Sequence, residues 1–498
     1  MQKEWNLLKT DKLTVANLAK ELGVDESIAH LLVLRNIRSF EDAKLFFRPK
    51  LSHLHDPFLM KDMVQAIDRI EHAINNNEKI LVYGDYDVDG TTSVAMMCHF
   101  LKKFTSNVEY YIPCRYNEGY GLSNAAIDYA KQKKYSLIIT LDCGITAIDE
   151  IEYAKDINID CIICDHHNTL KEIPKAVAIL NPKQEKCNYP YKHLSGCGVG
   201  FKLMQGFVLK KGGGVKDIIE YLDLLAISIA ADIVPITGEN RVFAFYGIRQ
   251  INNYARNGIK ALMDFSYKKN NISISDILFQ IAPRINAAGR MDHARKAVAI
   301  FLEKDYKKAK ILAKNIEENN IERRSLDEEI TKEALDMVDS EKKSIVVFNN
   351  NWHKGVLGIV ASRLIEKYHK PTIVLSEKDG LLTGSARSIY GFDIYRSILE
   401  CSYLCEKFGG HKYAAGITIK KENLDQFIFE FEKTVSKHIS EEQLFPKLNI
   451  DLILDVENVN EKLYRIIKQF APFGPQNPTP VFLSKRVIDD GYGHIVGK

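Results

Sequence analysis

Asp85, Asp87 and Asp89 alternate along "GDYDVDG", directly after the apolar run Ile80 to Tyr83. Three carboxylates within five residues repel one another unless something positive sits between them. Further on, "SLIITL" runs into Asp142, and "CIIC" runs into Asp165, His166 and His167. Asp232 stands in the largely apolar "LLAISIAADIVP". Burying this many anions unaided would cost many kcal/mol, and divalent cations are the direct remedy. Oxygen donors mixed with imidazole suit Mn²⁺ or Mg²⁺ better than a thiolate-preferring ion.

Other chemistries compete for the same residues. An EF-hand loop starting at Asp85 needs a bidentate Glu at its twelfth position, where this chain has Met96. A phosphatase of the haloacid-dehalogenase type opens with D-x-D-x-T, which Asp87 to Thr91 satisfies, but it works with a Lys rather than a His pair. A solvated acidic turn is the plain alternative for the first cluster alone. Cys161 and Cys164 form a C-x-x-C within an apparent strand, where positions three apart face opposite sides, so a zinc knuckle is not expected. "KGGGVK" (211–216) lacks the spacing of a P-loop and "GCGVG" (196–200) that of a dinucleotide fingerprint, so no nucleotide cofactor is expected.

A scaffold must bring these separated residues together. From Lys79 to about Leu180, short apolar runs alternate with helix-length amphipathic stretches, which predicts an α/β domain with a mainly parallel sheet. Ligand sites in such sheets lie beyond the carboxyl ends of the strands, where the acidic residues fall. Residues 1–75 carry helical periodicity, read as packed helices, with a helix-turn-helix as the alternative. Residues 217–264 also read as helical. Residues 302–338 hold neither Pro nor Gly and predict one or two long, partly exposed helices bridging two domains. A second α/β pattern follows with "SIVVF", "PTIVLS" and "LLTGSARS", and gives way near Pro446 to β-like segments.

The bulk numbers narrow the function classes. The chain of 498 residues is long enough for three or four units. Its net charge of +3 is no global basic field, so a nucleic acid must be held by a local patch. The opening "MQKEWNLLKTDKLT" lacks the apolar core of a signal peptide, and no uncharged apolar run reaches the roughly 18 residues of a membrane span. A cytoplasmic protein with no membrane partner is expected. Nine scattered cysteines, an odd number, suit reduced core thiols.

"DYDVDG", "LDCG", "DHH" and "AADIVP" resemble, in order and spacing, the four motifs of the DHH phosphoesterases, and most closely their RecJ branch of single-stranded-DNA-specific exonucleases. The resemblance covers nearly the whole chain, through "IPCRYNEGYGLS", "LSGCGVGFKL", "PRINAAGRM", "WHKGVLGIVASRL", "GSARS", "FGGHKYAAG" and "APFGPQNPTPVF". It implies an N-terminal helical extension (1–75) and a parallel-sheet DHH domain (76–265). A phosphate-contacting segment with a long connecting helix (266–340) would lead to a smaller α/β DHH-associated domain (341–440). The start of an OB-like β segment (441–498) would follow, its closing strands lacking as the sequence stands.

The resemblance also implies roles. Asp87, Asp89, Asp142, His166 and Asp232 would hold two Mn²⁺ or Mg²⁺ ions, with Asp142 bridging them. His167 would face the scissile phosphate, and Asp165 would support the ligands from behind. Many smaller DHH enzymes have His four residues before the first ligand Asp; here Tyr83 stands there, which makes Asp85 a candidate contributor. Arg115, Arg284, Asn286 and Arg290 would contact DNA. Ser385, Arg387 and Ser388, read as a short polar turn, would form a pocket for a 5′ phosphate with Gly409, Gly410 and His411 in a glycine-rich stretch. The implied reaction is 5′-to-3′ hydrolysis of single-stranded DNA to 5′-mononucleotides in repair and recombination. A single-strand-binding protein and a helicase are the candidate partners. The rival functions are a DHH enzyme for short oligonucleotides or cyclic dinucleotides, and an inactive binding scaffold.

Overall fold

The computed structural model describes residues 3–115, 117–268, 270–488 and 491. They divide into two bodies. The larger takes Leu8–Asn319 and the chain from Asp451 onward; the smaller takes the N-terminal strand β1 (Glu4–Leu7) and Asn320–Ile450.

The larger body is built on β2 (Ile80–Gly84), β3 (Val108–Tyr111), β4 (Leu137–Leu141), β5 (Asp160–Cys164) and β6 (Ala178–Leu180). They pair in the order β3-β2-β4-β5-β6, all parallel. Every residue of β2 and β4 is buried, which is why these strands read as continuous apolar runs rather than alternating ones. Ile80, Val82, Ile139 and Leu141 enter the core on one face; Leu81, Tyr83, Ile138 and Ile163 enter the core on the other. Cys164 packs in the first core and Cys161 in the second. The chain leaves β2 towards β3 but returns to place β4 on the other side of β2. The carboxyl ends of β2 and β4 therefore flank a topological switch point, where open α/β sheets form their ligand crevices.

In the smaller body, β7 (Ile345–Asn349), β8 (Thr372–Lys378), β9 (Leu381–Arg387), β10 (Cys405–His411) and β11 (Ala414–Lys420) pair in the order β10-β11-β9-β8-β7. Only β7 and β8 are parallel. One face packs Leu382, Ala386, Ile417 and Ile419 against Phe427 and Phe431 of the helix Leu424–His438. The other buries Val347 and Val374 against the helix Leu357–Tyr368 and against Ile330 and Ala334. Strand β12 (Lys447–Ile450) pairs in parallel with β1, so Glu4–Leu7 are a strand of this body rather than part of the helical extension expected over 1–75.

The long helix is one element, Tyr306–Asp336; its first turns belong to the larger body and its remainder to the smaller. The helices Lys12–Leu22, Glu26–Val33 and Phe40–Phe47 share a core with Phe470, which is fully buried, while the helix Met63–Asn75 packs its Ile67 and Ile70 into the core of the parallel sheet. Beyond Asp451 the described residues form the short parallel pair β13 (Leu452–Ile453) with β14 (Phe482–Leu483) and a helix, Glu461–Lys468. The closing "GHIVGK" lies outside the described residues. Among the described residues, no helix is long and apolar enough to cross a membrane.

Candidate metal centre

Four acidic stretches converge at the switch point. Asp85 follows β2, and Asp87 caps the helix Val88–Leu101, accepting from the Gly90 amide at 3.1 Å. Asp89, in the first turn of that helix, lies where a helix N-terminus favours a carboxylate. Asp142 follows β4 in a left-handed conformation, φ 61°. Asp232 arrives differently: it caps the C-terminus of the helix Leu222–Ala231 rather than ending a strand.

Donor atoms lie within 4.8 Å of one another in three overlapping sets: Asp85, Asp87 and Asp142; Asp89, His166 and Asp232; and Asp142, His166 and His167. His166 Nε2 sits 3.2 Å from Asp142 Oδ1, 3.5 Å from Asp232 Oδ2 and 3.9 Å from Asp89 Oδ2. Asp142 and His166 thus belong to more than one set, the arrangement a bridging ligand requires.

The electrostatics ask for a cation. Asp85 Oδ1, Asp142 Oδ1, Asp232 Oδ2 and His166 Nε2 are buried with no hydrogen-bond partner. Burial raises the Asp142 carboxyl well above the ordinary range, and Asp89, Asp87 and Asp232 raise it further. Burial and Asp87 do the same to Asp85; burial, Asp89 and Asp87 do so to Asp232. Burial pulls His166 down to about 4 despite the pull of Asp89, leaving a neutral imidazole at neutral pH, the form that ligates metals. The donor set fits hard divalent ions.

Asp165 pairs with His167, which itself belongs to the set with Asp142 and His166. Asp165 accepts from the Ile145 amide at 2.9 Å, the His166 amide at 2.7 Å and His167 Nδ1 at 2.7 Å. Burial opposes its ionisation, but the bond and charge of His167 and the amides hold its carboxyl down to about 2. Burial likewise opposes protonation of His167, yet Asp165 outweighs it and lifts the imidazole to about 9. Asp165 thus orients the His167 ring and favours its protonated form, with the His167 side chain 44% exposed.

Several contributors carry no obvious chemical label in the sequence. The Gly196 and Cys197 amides donate to Asp89 at 2.7 and 2.8 Å, and the Ser228 hydroxyl donates to it at 2.7 Å. The glycine-rich "GCGVG" is thus the N-terminus of the helix Gly196–Lys210, capped by Ser195. Tyr120, set between Gly119 and Gly121 with φ of 84° and 92°, places its hydroxyl 3.3 Å from the Asp142 carbonyl and 3.2 Å from His167 Nδ1. Tyr83 donates its hydroxyl to the Gly121 carbonyl at 2.6 Å, anchoring that loop. The paired glycines of "NEGYG" were the available signal. Lys183 is half-buried near Asp232 and Asp165, with burial lowering its pKa against their pull.

The expected phosphate contacts divide. Arg115 stacks over Tyr86 at 4.9 Å. Asn286 and Arg290 lie partly exposed on the helix Ala282–Met291. Arg284 is turned inward: it pairs with Glu317 and donates to the Gln280 and Phe265 carbonyls. A guanidinium committed to the interior in this way ties its helix to the long helix and is not available to a phosphate, so that expectation is corrected. In the smaller body, Ser385 and Arg387 lie on β9 rather than in a turn, Ser388 just beyond it, and Gly409, Gly410 and His411 on β10. Arg387, Ala414 and His411 form one cross-strand row; Ser385, Gly416 and Gly409 form the next on the same face. A Cβ at Gly409 or Gly416 would meet nothing within 4 Å, so this floor is open above the backbone. Gly410 belongs to the opposite face of the strand.

A parallel sheet with carboxylates and paired histidines along its carboxyl edge defines a DHH-type phosphoesterase domain. Residues 79–229 match the DHH family N-terminal domain, 341–437 the DHHA1 domain and 450–498 the RecJ OB domain. The single-stranded-DNA-specific exonuclease RecJ of Bacillus subtilis is 39% identical over 493 residues, 98% of this chain. That of Escherichia coli is 30% identical over 97% of this chain and 87% of its own length. The chain belongs to the RecJ family. It spans 62% of the length of the Bacillus subtilis relative. Among solved structures, RecJ from Thermus thermophilus in complex with Mn²⁺ superposes with a TM-score of 0.85 at 27% identity, covering 97% of this chain and 69% of that one. Its complex with Mg²⁺ gives 0.78 at 26% identity, covering 96% of this chain and 67% of that one.

Proposed function

We propose that the chain is a metal-dependent exonuclease that degrades single-stranded DNA from its 5′ end to 5′-mononucleotides. The observation that carries this reading is the set of buried, unpartnered donor atoms on Asp85, Asp142, Asp232 and His166 at the switch point. Asp87, Asp89, Asp142, His166 and Asp232 would hold two Mn²⁺ or Mg²⁺ ions, with Asp85 as a further contributor. Bound there, the ions supply hydroxide and stabilise the oxygens of an in-line displacement. His167, oriented by Asp165, is placed to donate to a phosphate oxygen. Gly196, Cys197 and Ser228 fix Asp89, so that its orientation is set before any ion arrives.

The open polar face of β9 and β10, with Arg387 and His411 in one row, supports a pocket for the 5′ phosphate. The same reading covers a role in repair and recombination in the cytoplasm. A single-strand-binding protein would present the substrate, and a helicase would unwind it. The test is digestion of end-labelled single-stranded DNA beside a dinucleotide, with Mn²⁺ and with EDTA. Mononucleotide release from the long strand, stopped by EDTA and restored by Mn²⁺, supports the exonuclease. Cleavage of the dinucleotide alone points to a small-substrate enzyme, and cleavage of neither to a binding scaffold.

A further inference from the structure

The chain between β3 and the helix Asn124–Gln132 carries Arg115 and Tyr120 to the centre, yet its described residues form neither strand nor helix. Its ends are held by burial: Ile112 enters the core on one face of the parallel sheet and Leu122 the core on the other. Between them Tyr120 is 52% exposed, so packing alone does not fix it.

Polar bonds supply what packing does not. Glu118 is half-buried, and its two oxygens collect three donors from both ends of the loop. Oε1 accepts from the Cys114 amide at 2.7 Å. Oε2 accepts from the Ser123 hydroxyl at 2.7 Å and from the Tyr111 hydroxyl at 3.1 Å. Tyr111 ends β3 and Ser123 caps the helix Asn124–Gln132, so one carboxylate joins both rigid elements to the turn at Cys114. The Glu118 and Gly119 amides close that turn on the Cys114 carbonyl at 2.9 and 3.3 Å. All three donors to the carboxylate are uncharged, while the loop's own cation, Arg115, lies over the Tyr86 ring. The Tyr111 ring stacks on that of Tyr83, centroids 5.8 Å apart, and Tyr83 is the residue whose hydroxyl holds the Gly121 carbonyl. Glu118 and Tyr83 thus grip the loop on either side of Tyr120.

We propose that Glu118 is a positioning residue, with Tyr83 as a second anchor. Together they set Tyr120 against His167 and the Asp142 carbonyl, and Arg115 over Tyr86, before a strand arrives. This rests on the hydrolytic reading of the centre. The bonds of the Glu118 carboxylate run to Tyr111, Cys114 and Ser123, none of them a candidate metal ligand, so it acts through the loop. A loop ordered in advance spares the substrate the entropy of ordering it, and holds the groups it carries in a productive geometry. A carboxylate that served stability alone would act independently of Tyr120.

The test is a double-mutant cycle on the whole chain, read as kcat for mononucleotide release in Mn²⁺. Glu118→Ala and Tyr120→Ala should each lower kcat about 10- to 100-fold, and the double variant should fall little below the worse single one. Glu118→Gln keeps an acceptor for the Cys114 amide and should recover most of the loss. The rise in melting temperature on adding Mn²⁺ should be the same in Glu118→Ala as in the wild type, since the candidate ligands are untouched. Hydrogen exchange in EDTA should be faster over residues 111–123 in Glu118→Ala, which reads the loop without metal or turnover. Tyr83→Phe removes one hydroxyl but keeps the ring, and takes the place of Glu118→Ala in the cycle if that variant folds poorly. Losses that multiply in the cycle overturn the proposal, as does near-normal kcat in Glu118→Ala or unchanged exchange. If the wild type hydrolyses no DNA, the exonuclease reading falls on its own, and the exchange measurement still supports or overturns the grip of Glu118 on the loop.

Discussion

Gly196 shows how closely single residues set this centre. A Cβ there would lie 2.5 Å from Asp142 Cβ and 2.6 Å from its Oδ1, so the carboxylate would have to move. A shift of about 1 Å in a catalytic group can cost about 10²-fold in rate. Gly196→Ala is therefore expected to lower kcat on single-stranded DNA by at least about that factor, and to lower the melting temperature as well, because the same Cβ would meet the Asp142 Cα at 2.7 Å. Near-normal kcat would mean that Asp142 has room to spare. Arg387 makes the complementary case, for substrate recognition rather than metal chemistry. A charge-assisted hydrogen bond contributes about 1.5–3 kcal/mol, or about 10- to 150-fold. Arg387→Ala should lower kcat/KM on 5′-phosphorylated strands by that factor and narrow the preference over 5′-hydroxyl ends, with the Mn²⁺ requirement unchanged. Equal losses on both ends would mean that Arg387 merely follows the backbone.

At the scale of elements, Arg241 joins three segments distant in sequence through main-chain carbonyls. Arg241→Leu keeps bulk but leaves the Phe46 and Ala471 carbonyls without their donor, while Asn477 still donates to those of Phe470 and Pro472, so a stability loss of about 2–4 kcal/mol is expected, measured as a lower urea midpoint. A change below about 0.5 kcal/mol would show that water reaches the joint. The same elements show what the sequence could and could not disclose. β2, β4 and β5 are legible because a parallel strand covered on both faces must be apolar throughout, and the carboxylates that follow them mark the sheet edge. Asp232 is legible as an acid in an apolar run, but not as a helix C-cap. Ser228 and the Gly196 amide reach Asp89 only through tertiary packing, which no local spacing encodes. "GSARS" reads as a turn because Gly and Ser favour turns. Pairing of β9 with β8 and β11 instead makes it strand, with Ser385 and Arg387 on the face away from Leu382 and Ala386. Arg284 shows the reverse limit: its half-buried partner Glu317 is 33 positions away on another helix.

For the whole molecule, the proposed two-ion hydrolytic centre lies in one body, where its buried carboxylates are incompatible with their surroundings until cations neutralise them. An ion that binds the folded state alone stabilises it, by about 2.7 kcal/mol at a hundredfold excess over Kd. Mn²⁺ should therefore raise the melting temperature of the wild type, and Asp142, shared between two of the candidate sets, should account for much of that gain. The most direct measurement is release of mononucleotides from 5′-labelled single-stranded DNA by the wild type and by Asp142→Ala, in Mn²⁺, beside equilibrium binding of the same strand in EDTA. Mn²⁺-dependent release by the wild type, none by the variant, and strand binding by both are expected. Near wild-type turnover by Asp142→Ala in Mn²⁺ would contradict the two-ion centre.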